Sequence, residues 1–230
     1  RIPYGVVSER HGSGGIPDEV TDPFYKVVMI DQKRGVGVFD KGIEVPLGPF
    51  MGVMGVQPDS SLGANPRSGP PGPYGGNLDC KELVTGSTLY LPVFAPGARF
   101  FTGDAHGGQG DGEVTITAIE TANTAILQFI LHKGVKIDAP RAETPTHFIT
   151  FGLDPNLEEA MKKAIRENNT FIEERMGLDF AHAFALSSIG VDFHVTQVVD
   201  GTKGIHSMIP KKIFKTMKFP YWYHAVAAAH

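Results

Sequence analysis

The segment Phe24–Val56 reads FYKVVMIDQKRGVGVFDKGIEVPLGPFMGVMGV and decides the fold class of the chain. Short runs rich in Val, Ile, Met and Phe alternate with turn-forming groups such as DQKRG and LGP. Apolar runs of roughly four to eight residues between Gly and Pro are typical of β-strands joined by short turns. The segment therefore predicts a meander of β-hairpins.

After this meander the chain first loses and then regains strand character. Residues 57–78 contain five Pro and five Gly among 22 residues, which predicts a long loop that is either functional or mobile. Strand patterns resume in Ser87–Ala95, Glu113–Glu120 and Ala125–Leu131. The second of these alternates strictly and places Glu113 on its polar face at the first residue of a strand.

The last third of the chain changes from a strand period to a helix period. Asp154 is a predicted N-cap with Pro155 at the first helical position, and apolar residues then recur at helical spacing until Gly177. A second helix is predicted from Asp179 to about Ser188, with a strand at 191–199 after it. We therefore expect a mixed, β-rich fold, with a β-sandwich or barrel-like body and a smaller α+β C-terminal portion. Residues 1–150 would form the β-rich domain that carries the site, and 151–230 would pack on it without being independent.

Composition narrows the function classes. The chain has 230 residues, a formal net charge of −4 and a single cysteine. It contains no basic block or arm, so we expect no nucleic-acid partner. No apolar run approaches the roughly 20 residues of a membrane helix, and no signal pattern opens the chain, so we expect no membrane association. One cysteine suits a reducing compartment, and we predict a cytoplasmic protein.

The segment Gly103–Glu113, GDAHGGQGDGE, concentrates ligand-bearing side chains. It holds three carboxylates, one imidazole and one carboxamide among five glycines, and such a loop suits a divalent metal and a small ligand. We predict Asp104 and His106 as metal ligands, with Asp111 as a third. Glu113 is predicted as a general base, or alternatively as a further ligand.

Three further residues are candidates for the same site. In the segment GGNLDC, Asn77 is a candidate donor to a developing oxyanion, and Asp79 is a candidate metal ligand or orienting acceptor for His106. Asn77 after two glycines is also a common turn former. Gln109 can contact either end of an amide, or it can tie the loop to its own backbone.

Cysteine and histidine residues supply the remaining alternatives. Cys80, Lys81 and Glu82 are consecutive and invite a cysteine-nucleophile mechanism. However, adjacent side chains diverge, and a lone cysteine is most often a small buried apolar residue. His11, His194 and His206 can reach a site, although each is more readily explained as structural.

Four ordered blocks of the sequence resemble the acetamidase/formamidase family. The blocks are PFMGVMGV, GGNLDCKEL, GSTLYLPVFAPGARF and GDAHGGQGDGEVTITAIE, and a weaker likeness continues through Val195–Phe214. The resemblance implies an amidohydrolase that converts short linear amides such as formamide or acetamide into a carboxylate and ammonia, with a divalent metal. It also implies that family members carry an N-terminal portion ahead of the part that this chain matches. Such a portion of the same protein would be a further partner of this chain.

We therefore predict an amidase that uses a metal-activated water, with zinc preferred and calcium, magnesium or manganese as alternatives. The expected partner is a small amide substrate, and we expect a homodimer or a higher homo-oligomer. The alternative from another class is a non-enzymatic β-module whose acidic loop binds calcium for structure. A third hypothesis keeps the amidase and assigns catalysis to Cys80.

Overall fold

The structure is a computed structural model that describes residues 2–63 and 66–215. Within these ranges the chain is rich in β-structure, and its two α-helices both follow the tenth strand. The helices are α1 (Leu157–Met176) and α2 (Phe180–Gly190). The strands are β1 (Tyr4–Glu9), β2 (Phe24–Asp31), β3 (Val36–Asp40), β4 (Ile43–Pro46), β5 (Phe50–Gly55), β6 (Gly75–Asn77), β7 (Thr88–Tyr90), β8 (Phe101–His106), β9 (Arg141–Glu143), β10 (His147–Asp154), β11 (Asp192–Gln197) and β12 (Lys203–Pro210).

The strands form three sheets. A four-stranded sheet has the order β1-β2-β3-β4, a three-stranded sheet has the order β6-β5-β8, and a five-stranded sheet has the order β11-β12-β10-β9-β7. The meander predicted for Phe24–Val56 is confirmed for β2 to β4, which pair as successive hairpins, whereas β5 leaves this sheet and pairs with β6 and β8. The prediction of a β-rich body with a smaller α+β C-terminal portion is also confirmed.

Strand β10 shows how the layers are held together. Its side chains alternate between two cores: Phe148 packs with residues of α1 and α2, whereas Ile149 and Phe151 pack with Met54 and Leu78 near the three-stranded sheet. The helices therefore cover one face of the five-stranded sheet, and the three-stranded sheet lies towards the other face. The candidate site is built on this three-stranded sheet.

The helix predictions are confirmed except at the first N-cap. The N-cap of α1 is Asn156, whose side chain accepts hydrogen bonds from the backbone of Glu158 and Glu159. Asp154 is not the cap, because it ends β10 and its carboxylate pairs with Lys163. The helix ends at Gly177, which adopts the left-handed conformation with φ 68°. The second helix begins where predicted, with Asp179 as its N-cap, and the predicted strand after it is β11.

Two predicted strands are absent from the described residues. In Glu113–Glu120, Glu113 and Ile116 have positive φ angles of 45° and 71°, so this segment turns and only Glu120 forms isolated bridges. Its strict alternation is overridden because the turn is tied to β11, where the Gly112 amide donates to the Val195 carbonyl. Ala125–Leu131 is irregular and largely exposed, and no described strand pairs with it.

The predicted loop at 57–78 is largely irregular where the structure describes it, apart from a 3-10 turn at Ser60–Leu62 and strand β6. The predicted division at residue 150 lies inside β10, and residues 216–230 lie outside the described ranges. Whether the two portions are independent therefore stays a prediction. Neither described helix is long and apolar enough to cross a membrane.

Candidate metal and catalytic site

Five acid and imidazole side chains converge beside the middle of β5. We call Asp79, Asp104, His106, Glu113 and Glu120 the acidic cluster. Asp104 and His106 lie on β8, Asp79 follows β6, and Glu113 and Glu120 follow β8 along the chain. The neighbouring pairs of β5 and β8, Met51 with Ala105 and Val53 with Gly103, place Gly52 opposite Asp104.

His106 is the centre of the cluster, and its orientation is set by Gln109. The side-chain amide of Gln109 donates to the backbone carbonyl of Asp79 at 2.7 Å, so its oxygen faces Nδ1 of His106 at 3.0 Å. Nδ1 therefore carries the proton and donates, and the lone pair of Nε2 points away from Gln109. This is the arrangement by which a neighbouring group prepares a histidine as a metal ligand.

The Nε2 atom of His106 faces carboxylates. It lies 3.3 Å from Oδ2 of Asp104, 3.3 Å from Oε1 of Glu120 and 4.0 Å from Oε1 of Glu113. The His106 side chain has no exposed surface, whereas those of Asp104 and Glu120 are about one-third exposed, at 35% and 33%. The cluster thus has a buried floor and a rim that solvent can reach.

Several buried polar atoms of the acidic cluster form no hydrogen bond of good geometry with the described residues. Both carboxylate oxygens of Asp79, Oε2 of Glu113 and Nε2 of His106 are buried and form no such bond. Burial, together with the charges of Glu113 and Asp200, raises the pKa of Asp79 to about 11. Burial and nearby Asp200 and Glu120 raise the pKa of Glu113 to about 8, against the opposing effect of His106. A cation among these groups would favour their ionised forms.

The absence of a side chain at Gly52 makes room for this convergence. A Cβ atom at this position would lie 2.7 Å from Oδ2 of Asp104, 2.9 Å from Cε1 of His106 and closer still to Oδ1 of Asp79. The φ angle of Gly52 is not in the left-handed region. Space, rather than backbone freedom, therefore requires glycine here.

The donor set fits a divalent metal ion. Asp79, His106 and Glu113 offer ligand atoms within 4.8 Å of one another, and so do Asp104, His106 and Glu120. Carboxylate oxygens with one imidazole suit zinc or manganese, and the oxygens alone suit calcium or magnesium. The backbone is also unusual here, because Asp79, Asp104 and Glu113 all have positive φ angles. Strained backbone of this kind tends to concentrate at functional sites.

The other predicted residues take different places. Asn77, at the end of β6, reaches the Asp200 carboxylate beside the cluster with its side-chain amide. Asp111 instead pairs with Lys81 at 2.8 Å and with His194 at 2.9 Å, near the surface. The structure thus brings Asp79, Asp104, His106 and Glu113 together and places Asp111 in a separate ion-pair group.

The sequence reasoning missed Glu120 and Asp200. Glu120 is the last residue of Glu113–Glu120, the segment predicted to be an alternating strand. Its backbone forms isolated β-bridges with Val6 and with His106. Asp200 lies in the turn between β11 and β12, and its pKa is raised by burial and by Asp104. An acidic residue in a glycine-containing turn is the only signal that the sequence offers for Asp200.

The remaining candidates lie outside the acidic cluster. Cys80 is buried, and burial raises the pKa of its thiol, so it is poorly suited to act as a nucleophile. Nδ1 of His11 lies 2.9 Å from the exposed carbonyl of Thr21, and His206 lies 3.1 Å from Glu82. A cavity of about 640 Å³ lies between the proline-rich loop and α1, and no residue of the acidic cluster lines it.

Comparison with known proteins agrees with this arrangement of elements. A sequence profile of the Acetamidase/Formamidase family matches residues 64–216. The chain belongs to the acetamidase/formamidase family. This confirms the resemblance that the four sequence blocks indicated.

Individual family members show how much of the chain is shared. The formamidase of Methylophilus methylotrophus is 31% identical over 173 residues, which cover 65% of this chain and 42% of that protein. The chain therefore spans about two-fifths of the length of that relative. The crystal structure of an acetamidase from Bacillus halodurans superposes with a TM-score of 0.86 at 33% identity, covering 93% of this chain and 71% of that one. A predicted acetamidase/formamidase from Thermoanaerobacter tengcongensis gives a TM-score of 0.85 at 28% identity, with 94% and 70% covered.

Proposed function

We propose that this chain hydrolyses the C–N bond of short linear amides, of the formamide and acetamide class, to a carboxylate and ammonia. The observation that carries this proposal is the convergence of Asp79, His106 and Glu113, each with a buried polar atom that forms no hydrogen bond of good geometry with the described residues. Membership of the acetamidase/formamidase family supports the reaction class.

A divalent cation is the natural complement of the acidic cluster. Asp79, Asp104 and His106 are the proposed ligands, and Glu120 joins them because its carboxylate lies as close to His106 as that of Asp104 does. When bound, such a cation supplies Lewis acidity, which makes water easier to deprotonate and an amide carbonyl easier to attack. Zinc is preferred because of the imidazole, and calcium, magnesium and manganese are the alternatives.

Glu113 is the proposed proton-transfer group. Its buried carboxylate lies 4.0 Å from Nε2 of His106, and its Oε2 atom has no described hydrogen-bond partner. A cation in the cluster would favour the ionised form of this carboxylate, which then accepts a proton from water and can return it to the departing nitrogen. The attack of water on the amide carbonyl and the departure of the nitrogen both need such a proton transfer.

The neighbouring polar residues orient this machinery. Gln109 has one end on His106 and the other on the Asp79 backbone, so we propose that it positions the imidazole. Asn77 remains the proposed donor to a developing oxyanion, and its amide lies beside Asp200. The role of Asp111 as a third metal ligand stays a prediction, which its contacts with Lys81 and His194 do not favour.

The structural-calcium alternative is less well supported than hydrolysis. A purely structural calcium loop has no need for a buried imidazole whose tautomer is set by a glutamine. A cytoplasmic location, a homo-oligomer and a further N-terminal portion as a partner are proposed on the sequence analysis alone.

Replacing Glu113 by Gln tests the proposed function. We expect ammonia release from formamide and acetamide to fall by about 10²–10⁴-fold, because a positioned general base contributes on this order. Metal content, measured by elemental analysis, should stay at the wild-type value. Glu158→Gln is the matched control, because Glu158 is exposed on α1. Undiminished turnover in a fully metallated Glu113→Gln protein would remove the assignment, and a wild-type chain that never releases ammonia would favour the calcium alternative.

A further inference from the structure

A second group of side chains that can bind a metal begins at Cys80, the residue that follows Asp79 of the acidic cluster in the sequence. We call Cys80, Glu82 and His206 the thiol cluster. Sγ of Cys80 lies 3.3 Å from Oε2 of Glu82, and Nε2 of His206 lies 3.1 Å from the same oxygen. Cys80 and His206 are 1% and 0% exposed. The backbone turn at Asp79, with φ 49°, separates this group from the acidic cluster.

The orientation of His206 is fixed by a neighbouring hydroxyl. Nδ1 of His206, on β12, lies 2.8 Å from Oγ1 of Thr196 on β11, and the ring stacks on His194 at 5.4 Å. Nε2 is buried and, within the described ranges, forms no hydrogen bond of good geometry, although it points to Glu82. If Nδ1 donates to Thr196, Nε2 presents its lone pair to Cys80 and Glu82.

The distances within the thiol cluster match those of a small metal site. Zinc binds imidazole nitrogen and carboxylate oxygen at about 2.0–2.2 Å and thiolate sulfur at about 2.3 Å, so tetrahedral ligand atoms lie about 3.3–3.5 Å apart. The observed separations of 3.1 and 3.3 Å are close to these values. The three ligand atoms also lie within 4.8 Å of one another.

We propose that Cys80, Glu82 and His206 form a second metal site, selective for a thiophilic divalent cation such as zinc. Binding replaces the Sγ–H bond of Cys80 by a bond from sulfur to the metal and releases one proton to solvent. Glu82 binds as a carboxylate and His206 as a neutral imidazole. The two negative ligands cancel the charge of the cation, so the assembled site is neutral and suits a buried position.

This site differs from the acidic cluster in chemistry and in role. The acidic cluster offers mainly oxygen atoms, whereas sulfur in the thiol cluster favours softer metals. The segment 79–82 connects both clusters, since Asp79 faces the first and Cys80 and Glu82 face the second. A metal in the thiol cluster would hold this segment against β12 and so position Asp79. This inference does not depend on amide hydrolysis.

Cobalt substitution provides a direct test, because Cys80 is the only cysteine of the chain. The wild-type chain is freed of metal with a chelator and titrated with Co²⁺. We expect a thiolate-to-cobalt charge-transfer band in the near ultraviolet. The band should saturate when this site holds one equivalent of Co²⁺, and added zinc should abolish it by displacing the cobalt. Any such band reports on Cys80 alone.

Variants separate this proposal from the proposed function. Cys80→Ser and His206→Gln should each lower the bound metal by one equivalent, and Cys80→Ser should remove the band entirely. Asp104→Asn, which alters only the acidic cluster, should keep the band. A wild-type protein that never shows the band, whatever its ammonia release, overturns the proposal without recourse to a variant. A Cys80→Ser protein that retains the charge-transfer band also overturns the proposal.

Discussion

Replacing Gly52 by Ala tests the architecture of the acidic cluster with a single methyl group. The added Cβ atom would lie 2.7 Å from Oδ2 of Asp104, whereas ordinary contact begins at 3.4 Å. This oxygen must therefore retreat by about 0.7 Å, and Oδ1 of Asp79 must retreat further. Because both are proposed metal ligands, the substitution should distort the metal site while leaving every ligand chemically intact.

The expected effect is large on function and moderate on stability. Misplacement of a reacting geometry by about 1 Å can cost about 10²-fold in rate, so kcat/KM for formamide should fall by about 10²-fold or more. Overpacking typically costs about 1–3 kcal/mol in the free energy of unfolding. We further expect the Gly52→Ala protein to bind one equivalent of metal fewer than wild type.

Three measurements on the same preparation decide the outcome: elemental analysis after dialysis, ammonia release and thermal unfolding. Gly103→Ala is the matched control, because Gly103 lies beside Asp104 on β8 and an added Cβ there meets no heavy atom within 4 Å. This control should keep wild-type metal content. Wild-type metal content and turnover in Gly52→Ala would refute the proposed ligand geometry.

Three further predictions test the site and the fold. The pKa values of Glu113 and Asp79, about 8 and about 11 in the folded chain, lie above their ordinary 4.5 and 3.8, so the stability that their protonated forms contribute is complete at low pH and is lost as the pH rises. Calorimetry in EDTA should therefore show a free energy of unfolding that falls from about pH 5 to pH 8. Saturating zinc should suppress this fall, and a flat or rising profile in EDTA would contradict the raised pKa values. Gly152→Ala should cost about 3 kcal/mol or more in denaturant unfolding, because its Cβ would collide with the backbone of α1 at Ala160 and Ala164, whereas Gly69→Ala should be nearly neutral. Asp111→Asn should leave metal content unchanged and cost about 1 kcal/mol or less in stability, because its ion pairs are partly exposed; loss of one metal equivalent would instead support Asp111 as a ligand.

Local chemistry made several elements predictable. The hairpins of β2 to β4, the two helices, the end of α1 at Gly177 and the start of α2 at Asp179 follow from alternation, periodicity and capping residues, which act over a few residues. The N-cap of α1 was misplaced by two residues, because Asp154 has the chemistry of a cap but is drawn into β10 and the contact with Lys163.

The two strands that failed did so for non-local reasons. Glu113–Glu120 has the alternation of a strand, but its turn is tied to β11 and its first carboxylate enters the acidic cluster. Ala125–Leu131 has the composition of a strand, but a strand requires a neighbouring edge, and the described residues provide none there.

The sequence by itself determined the β-rich class, the two helices and the density of ligand side chains in Gly103–Glu113. It also indicated that Asp79, Asp104, His106 and Glu113 belong to a common site. Only the tertiary structure added Glu120, placed Asp200 beside the cluster, moved Asp111 to Lys81 and His194, and grouped Cys80 with Glu82 and His206. The physical reason is that residue type sets which bonds a side chain can make. Which partner lies within 3–4 Å is instead decided by strand pairing between segments far apart in the chain.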